Sequence, residues 1–269
     1  MRLFYNEVGE AVNTSRVMGD EEYHQSSAIH NECYPLIEYL PLSPSGPMMM
    51  IYELPLFPLN TVLFPGVPIQ LHIFESRYKL LVRYCLEKNE PFGIALIRKG
   101  IEALGPLAEP YPIGCTARIV EIEPMDNGNM NLTALGDERF EIKELDRSMP
   151  YLIGKVEAKP LVSEHALEQL PGAKLLENWM KDYLSVLAAI GETTLDLTAL
   201  EFPDEPVPLM YLGASLLQLP AIEKQPLLSA VSSIELIREI IRLYRRETTV
   251  LEQLRAVEEE NAARLAWLN

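Results

Sequence analysis

The stretch ELPLFPLNTVLFPG, residues 53–66, holds three prolines and seven large apolar side chains in fourteen positions. Each proline fixes its φ and removes a backbone donor, so Pro55, Pro58 and Pro65 limit regular ladder pairing. The apolar side chains from Leu54 to Phe64 must nevertheless be covered. The stretch is therefore expected to be an edge strand and an irregular loop packed on the core, with Pro65-Gly66 turning into the next strand. That pattern opens a domain and does not build an active site.

Strand punctuation continues downstream. PIQLHIF (68–74) alternates Ile69, Leu71 and Ile73 against Gln70 and His72, the period of two of a half-buried strand. FGIALIR (92–98) is a more apolar strand, CTARIVEIE (115–123) alternates again, and DNGN (126–129) is a turn. MNLTALGDERFEIKEL (130–145) predicts a strand, a bend at Gly136 and a second strand, and YLIGKVEA (151–158) closes the series. One helix interrupts it, with Tyr78, Leu81, Val82, Cys85 and Leu86 as its stripe and Ser76 as its cap.

The second half changes period. AKLLENWMKDYLSVLAAIG (173–191) places Leu175, Leu176, Trp179, Met180, Tyr183, Leu184 and Leu187 at helical spacing, with Gly191 as a stop. VPLMYLGASLLQL and IEKQPLLSAV predict two short helices. A long helix runs from Ser232 to the last residue, opened by a Ser232/Glu235 capping box. Ile234, Ile237, Ile241, Tyr244, Thr248 and Leu251 mark one of its faces. The fold class is α+β, with a β-rich part over 48–160 and a helical part over 161–269. Residues 1–47, with seven acids and two basic residues, read either as a disordered extension or as a stretch upstream of a natural start at Met48–Met50.

The charge of −16 argues against a nucleic-acid partner, which requires a basic footprint, and against an anionic membrane surface. No run approaches the roughly 18 apolar residues of a membrane helix. The opening residues lack the pattern of a signal peptide, so a cytoplasmic protein is expected. Cys33, Cys85 and Cys115 are widely separated and form no C-x-x-C pair; Cys85 and Cys115 read as buried, inert thiols. His24, His30, His72 and His165 show no metal spacing. Ser43 and Ser45 in SPSGP lack the strained turn and neighbouring base of a nucleophile. No phosphate-binding glycine motif occurs. Neither catalytic residues, nor a cofactor, nor a metal is expected.

ELPLFPLNTVLFPGVPIQLHIFESRYKLLV resembles the start of the N-terminal substrate-recognition domain of Lon proteases, particularly stand-alone bacterial Lon-domain proteins. PFGIALIRKG, YPIGCTARIVEIEPMDNGNMNLTALGDERFEI and PYLIGKVE continue the likeness in order. LGASLLQLPAIEKQPLLSAVSSIELIREIIRLYRRE, with Lys224, Gln225, Leu227 and Leu228, extends it into the helical part. The resemblance implies a PUA-like pseudobarrel followed by a helical bundle with a long last helix. It also implies a module that holds unfolded or degron-bearing polypeptides, with a separate protease or chaperone as a further partner. Full Lon proteases continue into ATPase and Ser-Lys peptidase domains, whose motifs this sequence does not contain. The expectation is a non-catalytic binding module of undetermined oligomeric state.

For the binding surface the candidates are Phe74, Glu75, Ser76 and Arg77, where strand hands over to helix and charge lies beside an aromatic ring. The plainer reading of the same residues makes Phe74 core, Glu75 and Ser76 helix caps, and Arg77 solvated. The other function class considered is a small-ligand protein or enzyme with a pocket between barrel and helices.

Overall fold

The computed structural model describes residues 51–126, 128–163, 166–191 and 201–266. The readings of 1–47, His24, His30, Cys33, Ser43, Ser45 and His165 lie outside the described residues. Among the described residues the order is β1 (Ile51–Leu59), β2 (Pro68–Ile73), α1 (Ser76–Lys88), β3 (Phe92–Lys99), β4 (Glu109–Pro110), β5 (Ile113–Pro124), β6 (Met130–Asp146) and β7 (Leu152–Ala158). Four helices follow: α2 (Ala166–Ile190), α3 (Pro206–Leu216), α4 (Ala221–Ser229) and α5 (Ser233–Ala266).

β1 is not the edge strand that its prolines suggest. From Ile51 to Leu56 it pairs antiparallel with β7, and from Leu56 to Leu59 it pairs parallel with β3. The strand changes neighbours at Leu56, so each half has a ladder on one side only. Pro55, opposite Ile153, and Pro58, opposite Ala95, each fall in such a half. A missing N–H on the unpaired side costs no ladder bond. The handover closes the ring β1-β7-β6-β5-β3 into a barrel. β2 pairs with the first half of β6, ahead of the stretch that pairs with β7, and β4 pairs with the end of β3.

β6 runs unbroken through Gly136, with the expected bend absorbed as a register shift against β5. Glycine is needed there for close approach. A Cβ at that position would lie 2.3 Å from the Phe64 carbonyl oxygen. The Gly66 N–H donates to the Gly136 carbonyl at 2.8 Å, and the Gly136 N–H donates to that of Val67 at 3.0 Å.

In α1 the buried residues are Tyr78, Leu81, Val82 and Cys85, whereas Leu86 is exposed. Glu75, not Ser76, occupies the N-cap position, and its side chain makes no cap bond. In α2 Leu176, Met180 and Tyr183 are fully buried while Leu175 is exposed. The Gly191 N–H closes the last turn onto the Leu187 carbonyl. The capping box of α5 forms in a displaced version. Ser232 Oγ accepts from the Glu235 N–H, but the Glu235 carboxylate reaches back to the N–H of Val231 rather than of Ser232.

Among the described residues the buried apolar side chains form three clusters, and residues 53–66 contribute to all of them. Leu54 and Leu56 pack with Phe140, Leu152 and Val156. Phe57, Leu59 and Leu63 belong to the main barrel cluster beneath α1. Phe64 leaves the barrel for the helical cluster, its ring 6.2 Å from that of Tyr211. There Tyr183 and Tyr244 meet edge to face at 5.3 Å, and the Tyr244 hydroxyl donates to the Gly213 carbonyl.

Barrel and helices are also joined by polar contacts. Arg139 of β6, only 4% exposed, donates from Nη1 to the carbonyls of Leu228 and Ala230, both at 2.7 Å. Gln225 of α4 donates to the carbonyl of Ile113, the first residue of β5. These bonds give the Lys-Gln-x-Leu-Leu stretch a structural meaning. Gln225 ties α4 to the barrel, Leu227 and Leu228 are core, and Lys224 donates to the Ser215 carbonyl. Burial pushes the Cys85 and Cys115 thiols up to about 12. Both are thiols at neutral pH, as expected of packed, unreactive cysteines.

Candidate functional site

The strand-to-helix handover at Phe74–Arg77 organises two neighbouring loops. β2 ends at Ile73, Phe74 is 38% exposed, and α1 starts immediately after Glu75. The Phe74 ring stacks against His72 at 6.0 Å, and His72 shares a 3.0 Å hydrogen bond with the Asn131 side chain. Phe74 is thus not a core residue.

Arg77 is not solvated either. It pairs with Glu75 at 2.9 Å, both side chains less than one-seventh exposed. Its guanidinium lies 4.8 Å from the Tyr78 ring centre. Tyr78 in turn stacks on Phe57 at 3.9 Å, and burial pushes its phenol up to about 12. Arg77 donates to the carbonyls of Gly105 and Glu102, at 3.1 and 3.4 Å. The Glu75 carboxylate accepts from the Leu104 N–H. From the other side, the Asn60 N–H donates to the Glu102 carboxylate at 2.9 Å. With Arg147 donating to the Leu107 carbonyl at 3.0 Å, five side-chain contacts therefore fix the loop between β3 and β4. Ser76 is exposed and has no comparable role.

The fixed loop holds apolar side chains in water. Leu104 is 86% exposed and adopts a left-handed φ of 59°, which costs a non-glycine residue about 1 kcal/mol. Ile101, also exposed, folds over Gly105, where a Cβ would lie 2.4 Å from its Cγ1.

The β5–β6 turn lies on the opposite side of α1. Lys79 donates to Asn129 Oδ1 at 3.0 Å. Side chains two apart on a helix diverge by roughly 200°, so Arg77 and Lys79 reach in opposite directions. The exposed Phe74 ring, stacked on His72, thus precedes a helix whose first turn holds one loop through Arg77 and another through Lys79. The second loop also carries an exposed apolar side chain, Met125. Substituting Arg77→Ala should speed hydrogen exchange of the Leu104 amide by about 10- to 100-fold, since two bonds of roughly 1 kcal/mol each are lost. Unchanged exchange would show that the loop holds itself.

Of the residues singled out in the sequence, Phe74, Glu75 and Arg77 come together here. Ile101, Glu102, Leu104 and Asn129 were not legible as partners. The available signal was IEAL between Gly100 and Gly105-Pro106, two apolar residues that fit neither strand nor helix period. An open depression of about 260 Å³ lies elsewhere, lined by Arg98, Glu109, Pro110, Pro112 and the 142–145 segment of β6. It is a feature of the barrel wall and has no lining from the helices. Among the described residues no group of His, Cys, Asp and Glu is placed to hold a metal ion. No helix among them is long and apolar enough to cross a membrane.

This fold is shared with Lon N-terminal domains of known structure. A Lon N-terminal domain protein from Xanthomonas campestris superposes with a TM-score of 0.51 at 27% identity, over 68% of this chain and 93% of that one. The N-terminal domain of the Mycobacterium avium complex Lon protease, at 16% identity, shares the fold with a TM-score of 0.54, over 72% of this chain and 98% of that one. Residues 53–246 match the ATP-dependent protease La (LON) substrate-binding domain, and the chain belongs to that family. Among curated relatives, the Lon protease of Anaeromyxobacter dehalogenans is 26% identical over 77% of this chain and 25% of its own length. Lon protease 2 of Myxococcus xanthus is 28% identical over 74% of this chain and 24% of its own length. The chain thus spans about a quarter of these relatives.

Proposed function

We propose that this chain is a non-catalytic module that captures unfolded or degron-bearing polypeptides at the Phe74–Leu104 surface and presents them to a separate protease or chaperone. The carrying observation is Leu104. A large apolar side chain stands almost wholly in water, in a costly backbone conformation, on a loop anchored through Glu75, Arg77 and Asn60. Neither fold nor solubility calls for that arrangement, whereas burial against a client would stabilise it. Membership of the substrate-binding family supports the same reading. Two buried, unpaired thiols are in keeping with a cytosolic setting.

The test is binding of a chemically unfolded protein, against the same protein folded, by wild type and by Leu104→Asp. Aspartate tolerates a left-handed φ better than leucine, so the loop should keep its shape. Selective binding of the unfolded form, weakened about tenfold by the substitution, is expected for a residue worth more than about 1 kcal/mol at an interface. Equal binding by both forms of the chain would place the contact surface elsewhere.

A further inference from the structure

We infer that the Phe74–Leu104 surface selects, among apolar polypeptide segments, those that carry lysine or arginine next to the apolar residue; this rests on the reading above. The two flanking loops differ in origin but agree in charge. Glu102 lies beside Leu104, and Glu123 and Asp126 lie around Met125. None of the three enters an ion pair among the described residues. Glu102 accepts from the Asn60 N–H and Glu123 from the Asn131 side-chain amide, each a neutral donor that leaves the negative charge in place.

Of the nearby cations, Arg77 is neutralised by Glu75 and turned inward onto carbonyls, whereas Lys79 is tied to the neutral Asn129 side chain and offsets one of the two carboxylates around Met125. An occupant therefore meets apolar contacts from Phe74, Leu104 and Met125 with a net negative charge on either flank, from Glu102 on one and from Glu123 and Asp126 against Lys79 on the other. A segment with an acidic residue beside its apolar anchor would bring like charges together as water leaves, which is disfavoured. A cationic neighbour meets at least one carboxylate whichever way the segment runs. The chain's overall charge of −16 adds long-range attraction of the same sign. The selection is thus for mixed apolar and basic segments over mixed apolar and acidic ones.

The experiment uses the full chain and three fluorescent peptides with one common apolar core, flanked by lysines, by glutamines or by glutamates. At low ionic strength the lysine peptide should bind about tenfold tighter than the glutamate peptide, the sum of a few surface charge pairs, and the ratio should shrink toward one in 0.5 M salt. Neutralising Glu102→Gln, Glu123→Gln and Asp126→Asn together should abolish most of the ratio. Neutralising the exposed Glu201, Asp204 and Glu205 instead should leave it intact. Equal affinity for all three peptides overturns the charge selection but not the binding surface. A ratio lowered equally by both triple variants assigns it to overall charge and overturns the local assignment. If Leu104→Asp leaves the glutamine peptide's affinity unchanged, the underlying surface is wrong as well.

Discussion

Arg139→Ala is expected to destabilise the fold by about 3 kcal/mol, since two charge-assisted bonds to buried carbonyls are lost at once. Removal leaves the Leu228 and Ala230 oxygens without this donor, inside the joint between barrel and helices. Burial already holds the Arg139 pKa below that of a free guanidinium, and its Nε has no partner. The residue is therefore kept at some electrostatic cost, and its return lies in the two bonds from Nη1. Loss of about 3 kcal/mol in a domain of this size lowers the melting temperature by roughly 6–12 °C. Arg139→Met preserves most of the packing volume, so a comparable loss would assign the effect to the carbonyls. Melting at the wild-type temperature for both variants would mean that the end of α4 is satisfied without the arginine.

Gly136→Ala should cost a similar amount by a different route. The added methyl would sit 3.1 Å from the Phe64 carbonyl carbon and 2.3 Å from its oxygen, the latter closer than such atoms can be. That neighbour is backbone, so no side chain can rotate away. The Phe64–Val67 loop must withdraw, breaking the reciprocal bonds between Gly136 and residues 66 and 67. Overpacking and lost bonds together amount to about 3 kcal/mol, readable as a lower denaturant midpoint at an unchanged slope. Because the disturbed loop carries Phe64, near-ultraviolet signals from both barrel and helices should change. A midpoint equal to wild type would show that the close approach is dispensable.

Much of the architecture was legible because it is written in local periods. The alternation in 68–74 and 115–123 gave strands, and the three- and four-residue spacing after 173 gave helices. What failed is non-local. Pro55 and Pro58 mark an edge by any local rule, and only the handover at Leu56 explains how a strand inside a closed barrel accommodates them. The buried face of α5 includes Leu236, Ile240 and Leu243 besides the expected Ile237 and Tyr244. A helix packed by α2, α3 and α4 needs a wider apolar face than one stripe. The candidate site was half legible for the same reason. Phe74 to Arg77 announce themselves as a junction, but Glu102, Gly105 and Asn129 reach it across 25 to 50 residues of sequence. No spacing rule connects them.

The placement of residues 53–66 in all three apolar clusters bears on how such a module can be inherited. A part can be exchanged between proteins when few side chains cross its boundary. Here a single thread crosses twice, leaving Leu54 in one cluster, Phe57 in the next and Phe64 in the third. A helical half moved onto a foreign barrel would arrive with the Phe64 socket empty. A barrel moved alone would carry that ring into water. Such a family can therefore vary its loops, including the one that bears Leu104, while barrel and helices travel together as one heritable piece.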